Sequence, residues 1–214
     1  KVRPALELCK KKHIPVFVID SEVSDTEAVV STIVSDNYDA GVQCAKDMMK
    51  KKTSANIIIV NQKALNSINE RVKGFRDTIK GHPQYKIVEE KESAAEFEIA
   101  MKVMEKIIYE KKNYDVVMGG NDPIALGCIA AMQMTDKTDQ VMVYGVDGSP
   151  DGKAMIKAGF LEGTAAQSPI KIGEKAVQTA YSYLAGETVK KHVTIPVELI
   201  TADNLKFYDM TGWQ

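Results

Sequence analysis

Five polar side chains in this sequence have types and positions suited to holding a small ligand. Four of them follow short apolar runs and the fifth, an arginine, lies early in a helix-like segment; they are Asp20, Arg71, Asn121, Asp147 and Gln167. Carboxylates accept hydrogen bonds, arginine donates through a rigid planar fork, and the amides of asparagine and glutamine do both. Vicinal hydroxyl groups each donate and accept, so this set predicts a site for a neutral polyol such as a sugar.

The change from apolar to polar residues is clearest in "VMVYGVDGSPD", residues 141–151. The run from Val141 to Val146 is typical of a buried strand, and Asp147 stands where that strand should end. Aspartate and asparagine at strand ends also serve as helix caps and turn formers, so each of these residues taken singly has two interpretations. Recurrence at four strand ends favours ligand contact for the set, and the cap stays open for any single member.

Catalytic and metal chemistry are not indicated by the sequence. Its three histidines, His13, His82 and His192, are dispersed and show no paired-ligand spacing. No GxSxG elbow, no GxxxxGK[ST] loop and no GxGxxG motif after a strand is present. We therefore predict a binding protein without enzyme activity, cofactor or metal. An α/β enzyme using Asp147 or Asp20 as a base is the alternative from another class.

Strand-like and helix-like segments alternate along nearly the whole chain. Strands are predicted over 14–20, 29–35, 56–60, 85–90, 114–120, 141–147 and 161–167. Helices are predicted over 36–52, 66–81, 95–112, 122–134 and 168–187. Such alternation predicts βαβ units, and hence a mostly parallel sheet with helices on both faces. Because the carboxyl ends of parallel strands share one edge, the polar residues at these ends are expected to meet where a ligand docks.

Composition narrows the class of protein further. The chain has 214 residues, of which 44% are hydrophobic and 27% charged, and its formal net charge is −1. This balance argues against a broad nucleic-acid-binding surface, and no apolar run approaches the ~20 residues of a membrane helix. Cys9, Cys44 and Cys128 form no CxxC pair, which fits neither a disulfide framework nor a zinc site. Cys44 and Cys128 lie in apolar surroundings and are predicted to be buried.

Several motifs occur in an order that resembles a known family. In chain order they read "IPVFVID", "VSDNYDAG", "INERVKGF", "GGNDPIALGCIAAM", "YGVDGSPDG", "AGFLEGTAAQSPIKIGEKA" and "IPVELITADN". The chain resembles the type I periplasmic-binding-protein superfamily, and most closely the ribose-binding-like solute receptors of sugar ABC transporters. The resemblance implies an α/β fold with doubly wound parallel sheets in two lobes joined by a hinge. It also implies an extracytoplasmic solute-binding protein that captures a monosaccharide or related polyol.

The resemblance also implies roles for the five polar residues. Asp20 matches the acidic sugar ligand of the N-lobe, and Arg71 matches the arginine of the "ER" pair that precedes "GF". Asn121 matches the asparagine of "ND", Asp147 the aspartate before "G", and Gln167 the glutamine on the hinge side.

The sequence departs from the family pattern in three places. Ser21 stands where ribose binders usually have arginine, and Ala95 where they place an aromatic residue. The first three strands of the family have no counterpart, so we expect an N-terminally truncated chain with an incomplete N-lobe. The expected division is a partial N-lobe of 1–36 and 168–196, and a C-lobe of 37–167 and 197–214.

Partners and location follow from the resemblance alone. A membrane permease of an ABC transporter is the implied partner, with no nucleic acid and no membrane span in this segment. The implied location is periplasmic or extracellular, with or without a lipid anchor, and a signal peptide would be expected upstream of Lys1. The alternatives are the effector domain of a LacI-type transcription regulator, which shares the fold, and the sugar-sensing ectodomain of a signalling receptor.

Overall fold

The computed structural model describes residues 2–135 and 141–214, which form two compact units. The smaller unit consists of Lys1–Asp36 and Ser168–Pro196, and the larger consists of Asn37–Gln167 and Val197–Gln214. In chain order the described elements are α1 (Arg3–Lys11), β1 (Phe17–Ile19), β2 (Ser31–Ser35), α2 (Asn37–Lys51), β3 (Ala55–Asn61), α3 (Asn66–Ile79), β4 (Tyr85–Glu92), α4 (Phe97–Tyr109), β5 (Val116–Gly119), α5 (Asp122–Gln133), β6 (Met142–Asp147), α6 (Pro150–Lys157), β7 (Gly163–Ala166), α7 (Pro169–Leu184), β8 (His192–Ile195) and β9 (Glu198–Thr201).

The larger unit is built on a sheet in which the described strands run in the order β4-β3-β5-β6-β7-β9. Neighbouring strands in this sheet are parallel, except that β9 pairs antiparallel with β7. The central strands are almost wholly buried, as expected of parallel strands covered by helices on both faces. The predicted α/β class with mostly parallel sheets is confirmed. The carboxyl ends of β3, β5, β6 and β7 consequently lie along one edge.

The smaller unit contains a parallel sheet in the order β1-β2-β8 among the described strands. Strand β2 is the buried centre of this sheet, and α7 packs on both β1 and β2. Helix α7 also leaves large apolar side chains exposed at helical spacing, namely Ile170, Val177, Tyr181 and Leu184. The unit thus has a packed sheet and one helix face with apolar side chains in solvent.

Helices α2 and α3 approach each other closely because each has a glycine at their contact. A Cβ atom at Gly41 would lie 1.8 Å from the carbonyl oxygen of Arg71, and one at Gly74 would lie 2.0 Å from that of Tyr38. No larger residue fits at either position without moving a backbone. The contact therefore fixes the position of α3 against α2, and with it the position of Arg71.

Most predicted elements are present, with ends that differ by a few residues. The elements that were not predicted are α1, α6, β8 and β9. The helices α1 and α6 have nine and eight residues, and each of the two strands has four, which is too short for a sustained apolar period. The prediction of buried thiols is confirmed, since Cys44 and Cys128 are both 0% exposed. No described helix combines the length and apolar character that crossing a membrane requires.

Candidate functional site

Asp147 is the last residue of β6, and its backbone and side chain are both unusual. Its φ angle is 144°, a region that side-chain-bearing residues rarely adopt and that often marks functional sites. Its carboxylate Oδ1 accepts a hydrogen bond from Gln167 Nε2 at 2.8 Å and lies 3.4 Å from Arg71 Nη1. The cap of the following helix is Ser149, whose Oγ accepts from the backbone N–H of Gly152 at 3.0 Å. The cap interpretation is therefore wrong for Asp147.

Arg71 lies on α3 and is only 4% exposed, so its charge needs partners within the protein. Its Nε donates to Asn37 Oδ1 at 2.8 Å, and its Nη1 donates to the carbonyl oxygen of Gly120 at 2.9 Å. The same Nη1 is in ion-pair range of Asp147. These bonds hold the guanidinium in place before any ligand arrives. Arg71 was identified from the sequence, but Asn37 was not singled out.

Asn121 is the N-cap of α5, as one of its two interpretations predicted. Its Oδ1 accepts from the backbone N–H of Ile124 at 3.0 Å. Its Nδ2 has no hydrogen-bond partner within residues 2–135 and 141–214. Capping uses the Oδ1 acceptor of Asn121, and its Nδ2 donor remains able to bond to a ligand. Asn121 can therefore cap α5 and contact a ligand at the same time.

Gln167 directly follows β7 and is bonded to Asp147 through both backbone and side chain. Its backbone N–H donates to the carbonyl oxygen of Asp147 at 3.0 Å, while its Nε2 donates to the carboxylate. Strand pairing brings Asp147 opposite Ala166, the residue before Gln167. The parallel ladder between β6 and β7 thus places this amide beside the carboxylate.

Asp20 belongs to the smaller unit, so the geometry described for the other four residues does not extend to it. It follows β1 with a φ angle of 68°, and its backbone N–H donates to the carbonyl oxygen of Ile33 at 3.0 Å. Its carboxylate is exposed and accepts from the hydroxyl of Ser21 at 3.2 Å. Asp20 and Asp147 therefore share two properties, a position at the end of a strand and a positive φ angle.

Burial makes Asp147 an unusually weak acid. Removal from water, with a smaller contribution from the nearby charge of Asp122, raises the pKa of Asp147 to about 7. The positive charge of Arg71 and the hydrogen bond from Gln167 act in the opposite direction. A ligand hydroxyl donating to this carboxylate would favour its charged form.

Asp122 is a second residue of this region that was not singled out from the sequence. It is 0% exposed, and its carboxylate accepts from the backbone N–H and the hydroxyl of Ser149 and from the hydroxyl of Thr164. Burial raises the pKa of Asp122, while these hydrogen bonds lower it. An acidic residue in the first turn of a helix is so common that the sequence gave no reason to single it out. Within the described ranges, no group of three or more His, Cys, Asp or Glu residues could hold a metal ion.

The chain is an α/β protein with mostly parallel sheets, and the larger unit has polar residues at the carboxyl ends of its strands. Residues 1–188 match the family described as periplasmic binding protein domain. The chain belongs to this family.

Two curated relatives and one solved structure show how near the likeness is. The ribose import binding protein of Escherichia coli (strain K12) is 31% identical over 199 residues, which cover 92% of this chain and 66% of that protein. The D-apiose import binding protein of Paraburkholderia graminis is 31% identical over 96% of this chain and 67% of its own length. An ABC transporter solute binding protein from Bacillus halodurans C-125 with bound myo-inositol superposes with a TM-score of 0.89 at 24% identity, over 96% of this chain and 72% of that one. The chain thus spans about two thirds of the length of these curated relatives.

Proposed function

We propose that this chain is an extracytoplasmic solute-binding protein that captures a monosaccharide or related polyol for an ABC transporter. The observation that carries the proposal is the cluster of Arg71, Asp147 and Gln167, with Asn121 at the same edge of the sheet. The names of the relatives, which are import binding proteins for ribose and for D-apiose, support a sugar as ligand.

The cluster suits a neutral polyol because it is internally balanced in charge. When Asp147 is ionised, its charge and that of Arg71 offset one another, so a charged ligand would leave one of the two without compensation. Sugar hydroxyls can donate to the carboxylate of Asp147 and accept from the Nδ2 of Asn121. Both protein groups are held by other bonds, which lowers the entropy lost on binding. Each hydroxyl then exchanges water for a partner that is already in position.

The remaining assignments extend this proposal. On the sequence resemblance we assign Asp20 as an acidic sugar ligand. We interpret the smaller unit as a partial N-lobe and the larger unit as the C-lobe. Ser21 and Ala95 stand where ribose binders usually have arginine and an aromatic residue, so the proposal covers sugars and polyols in general rather than pentoses alone.

Capture proceeds without chemistry in this proposal. Nothing in the described cluster pairs a nucleophile with a base, and binding that favours the ground state serves transport rather than turnover. A membrane permease is the proposed partner. The proposed location is periplasmic or extracellular, with or without a lipid anchor.

Calorimetric titration with D-ribose, D-apiose and myo-inositol tests the proposal. At least one of them should give saturable binding at one site per chain, and chromatography should recover the sugar unchanged after prolonged incubation. Conversion of any sugar to a product would contradict capture without chemistry. Absence of binding across these three and a wider panel of monosaccharides would contradict the sugar site itself.

A further inference from the structure

The carboxylate of Asp122 connects the ends of three neighbouring strands of the large sheet. Asp122 begins α5 directly after Asn121, at the end of β5. Its Oδ2 accepts from the backbone N–H of Ser149 at 2.8 Å and from Ser149 Oγ at 2.7 Å, just after β6. Its Oδ1 accepts from Thr164 Oγ1 on β7 at 2.6 Å. One buried side chain at the end of β5 therefore bonds to the β6 and β7 regions, each of which carries a candidate ligand residue.

Two glycines make the space that this carboxylate occupies. A Cβ atom at Gly145 would lie 2.4 Å from Asp122 Oδ1, and a Cβ atom at Gly152 would lie 2.5 Å from Asp122 Oδ2. Real Cβ atoms do not approach an oxygen so closely, so any side chain at either position would displace the carboxylate. The sequence around β6 is thus adapted to the presence of the Asp122 side chain.

Hydrogen bonds of this network hold the turn that follows Asp147. The backbone N–H of Gly148 donates to Thr164 Oγ1 at 3.0 Å, and that hydroxyl in turn donates to Asp122. Gly148 has a φ angle of 70°, directly after the 144° of Asp147. Glycine adopts such an angle without strain, but the angle of Asp147 is rare for a residue with a side chain and needs surroundings that enforce it. The Asp122 network supplies that enforcement.

We propose that Asp122 is a positioning residue: by fixing the Gly148–Ser149 turn through its own carboxylate and through Thr164, it holds the carboxylate of Asp147 in the orientation that a ligand hydroxyl requires. The proposal rests on the proposed sugar-binding function. Asp122 does not itself contact the ligand in this account. It acts on affinity by preorganising a residue that does.

The first test measures how firmly the Gly148–Ser149 turn is held when no ligand is present. Amide hydrogen exchange, followed by NMR, is compared among the parent protein, Asp122→Ala, the milder Asp122→Asn, and the control Tyr144→Phe. The control removes a hydrogen bond from the same strand, since the hydroxyl of buried Tyr144 donates to Asp47 Oδ2 at 2.8 Å. Exchange at the amides of Gly148 and Ser149 should accelerate at least about tenfold more than at core amides of β5 in both Asp122 variants, and not in the control. Uniform acceleration in an Asp122 variant would show a merely structural role and overturn the proposal.

The second test measures affinity for whichever probe sugar the parent binds. Asp122→Ala should weaken binding at least about tenfold, Asp122→Asn by less because it keeps one acceptor oxygen, and Tyr144→Phe by less than about twofold. Unchanged affinity in Asp122→Ala, despite a loosened turn, would overturn the positioning role. If the parent binds no probe sugar, the proposed function fails at that step. The exchange experiment then still decides whether Asp122 fixes the turn.

Discussion

The guanidinium Nη1 of Arg71 lies 3.4 Å from the carboxylate Oδ1 of Asp147, although 76 residues separate them in the chain. Their side chains are 5% and 15% exposed, so the pair is screened from solvent on most sides. A buried ion pair of this kind tolerates removal of one partner poorly, because the other charge is left without compensation. The pair therefore connects the stability of the larger unit to the candidate site.

Removal of Arg71 should cost more stability than removal of an exposed arginine on the same helix. Arg71→Met removes the donor to Asn37 Oδ1 and to the carbonyl oxygen of Gly120 and, at pH 8, leaves the ionised Asp147 without its cation. At that pH we expect a loss of about 3 kcal/mol in the free energy of unfolding. Arg76→Met is the matched control, because Arg76 pairs with Glu90 while its side chain is 43% exposed, and it should cost below about 1 kcal/mol. Urea denaturation of both variants measures the difference. Equal losses would mean that the buried pair has no special role.

The raised pKa of Asp147 predicts a specific dependence of stability on pH. In the folded state Asp147 keeps its proton up to about pH 7, whereas the ordinary pKa of an aspartate is 3.8. Between pH 3.8 and about pH 7, the unfolded state therefore binds fewer protons than the folded state. The free energy of unfolding should therefore fall as pH rises through this window. Asp147→Asn removes this dependence, so from pH 4.5 to 8 the parent should lose at least about 1 kcal/mol more than the variant. Parallel pH profiles from chemical denaturation would contradict the raised pKa.

The close contact between α2 and α3 predicts a severe effect of one added methyl group. Gly41→Ala would place a Cβ atom 1.8 Å from the carbonyl oxygen of Arg71 and force the helices apart. We expect a loss of about 2 kcal/mol or more, together with weaker sugar binding, because Arg71 moves with α3. Gly173→Ala is the control, since a Cβ atom there meets nothing within 4 Å. Thermal unfolding in which both variants behave alike would contradict the proposed contact.

The side chain of Lys153 attaches the C-terminal residues to α6, and proteolysis can measure how much this attachment protects them. It is 0% exposed, and its Nζ donates to the backbone carbonyl oxygens of Asp209 and Gly212. Lys206 is already exposed, but the bond after it lies in a short 3-10 helix over Leu205–Phe207. Lys153→Met should release this segment and loosen that helix, so trypsin should cleave after Lys206 at least about tenfold faster than in the parent. Lys157→Met, on the exposed side of the same helix, should leave the rate unchanged. Identical digestion of all three proteins would contradict the attachment.

The burial of the cysteines determines how many thiols should react in the native protein. Cys44 and Cys128 are wholly buried, and burial raises the pKa of both thiols, that of Cys128 to about 12. Cys9 has intermediate exposure. A thiol reagent such as DTNB should therefore modify one cysteine per native chain and three after unfolding in guanidinium. Rapid modification of more than one thiol in the native protein would contradict the burial described.

Elements with a strong local signal were predictable from the sequence, because the signal and the structure have the same cause. Runs such as "NIIIV" and "VMVYGV" are apolar because both faces of a central parallel strand are covered, and both became strands. Asn121, Asp147 and Gln167 could be singled out because they interrupt such runs at strand ends. Arg71 could be identified only as a cation near the same edge.

Elements fixed by distant partners could not be predicted. Strand β9 is antiparallel and four residues long, and its identity depends on pairing with β7 rather than on its own pattern. Asp122 is an ordinary first-turn acid in the sequence. Its importance arises from Ser149 and Thr164, which lie 27 and 42 residues away and meet it only in the folded sheet.

Titration of the probe sugars into Asp147→Ala tests the central claim most directly, with Asp151→Ala as its control. Asp151 is an exposed aspartate four residues further along, in the first turn of α6, so the control removes a nearby carboxylate that plays no part in the site. The account predicts that Asp147→Ala keeps its circular dichroism spectrum and loses at least about 2 kcal/mol of binding free energy, a thirtyfold rise in Kd. Asp151→Ala should bind as the parent does. Equal affinity of Asp147→Ala and Asp151→Ala for the sugar would contradict the account.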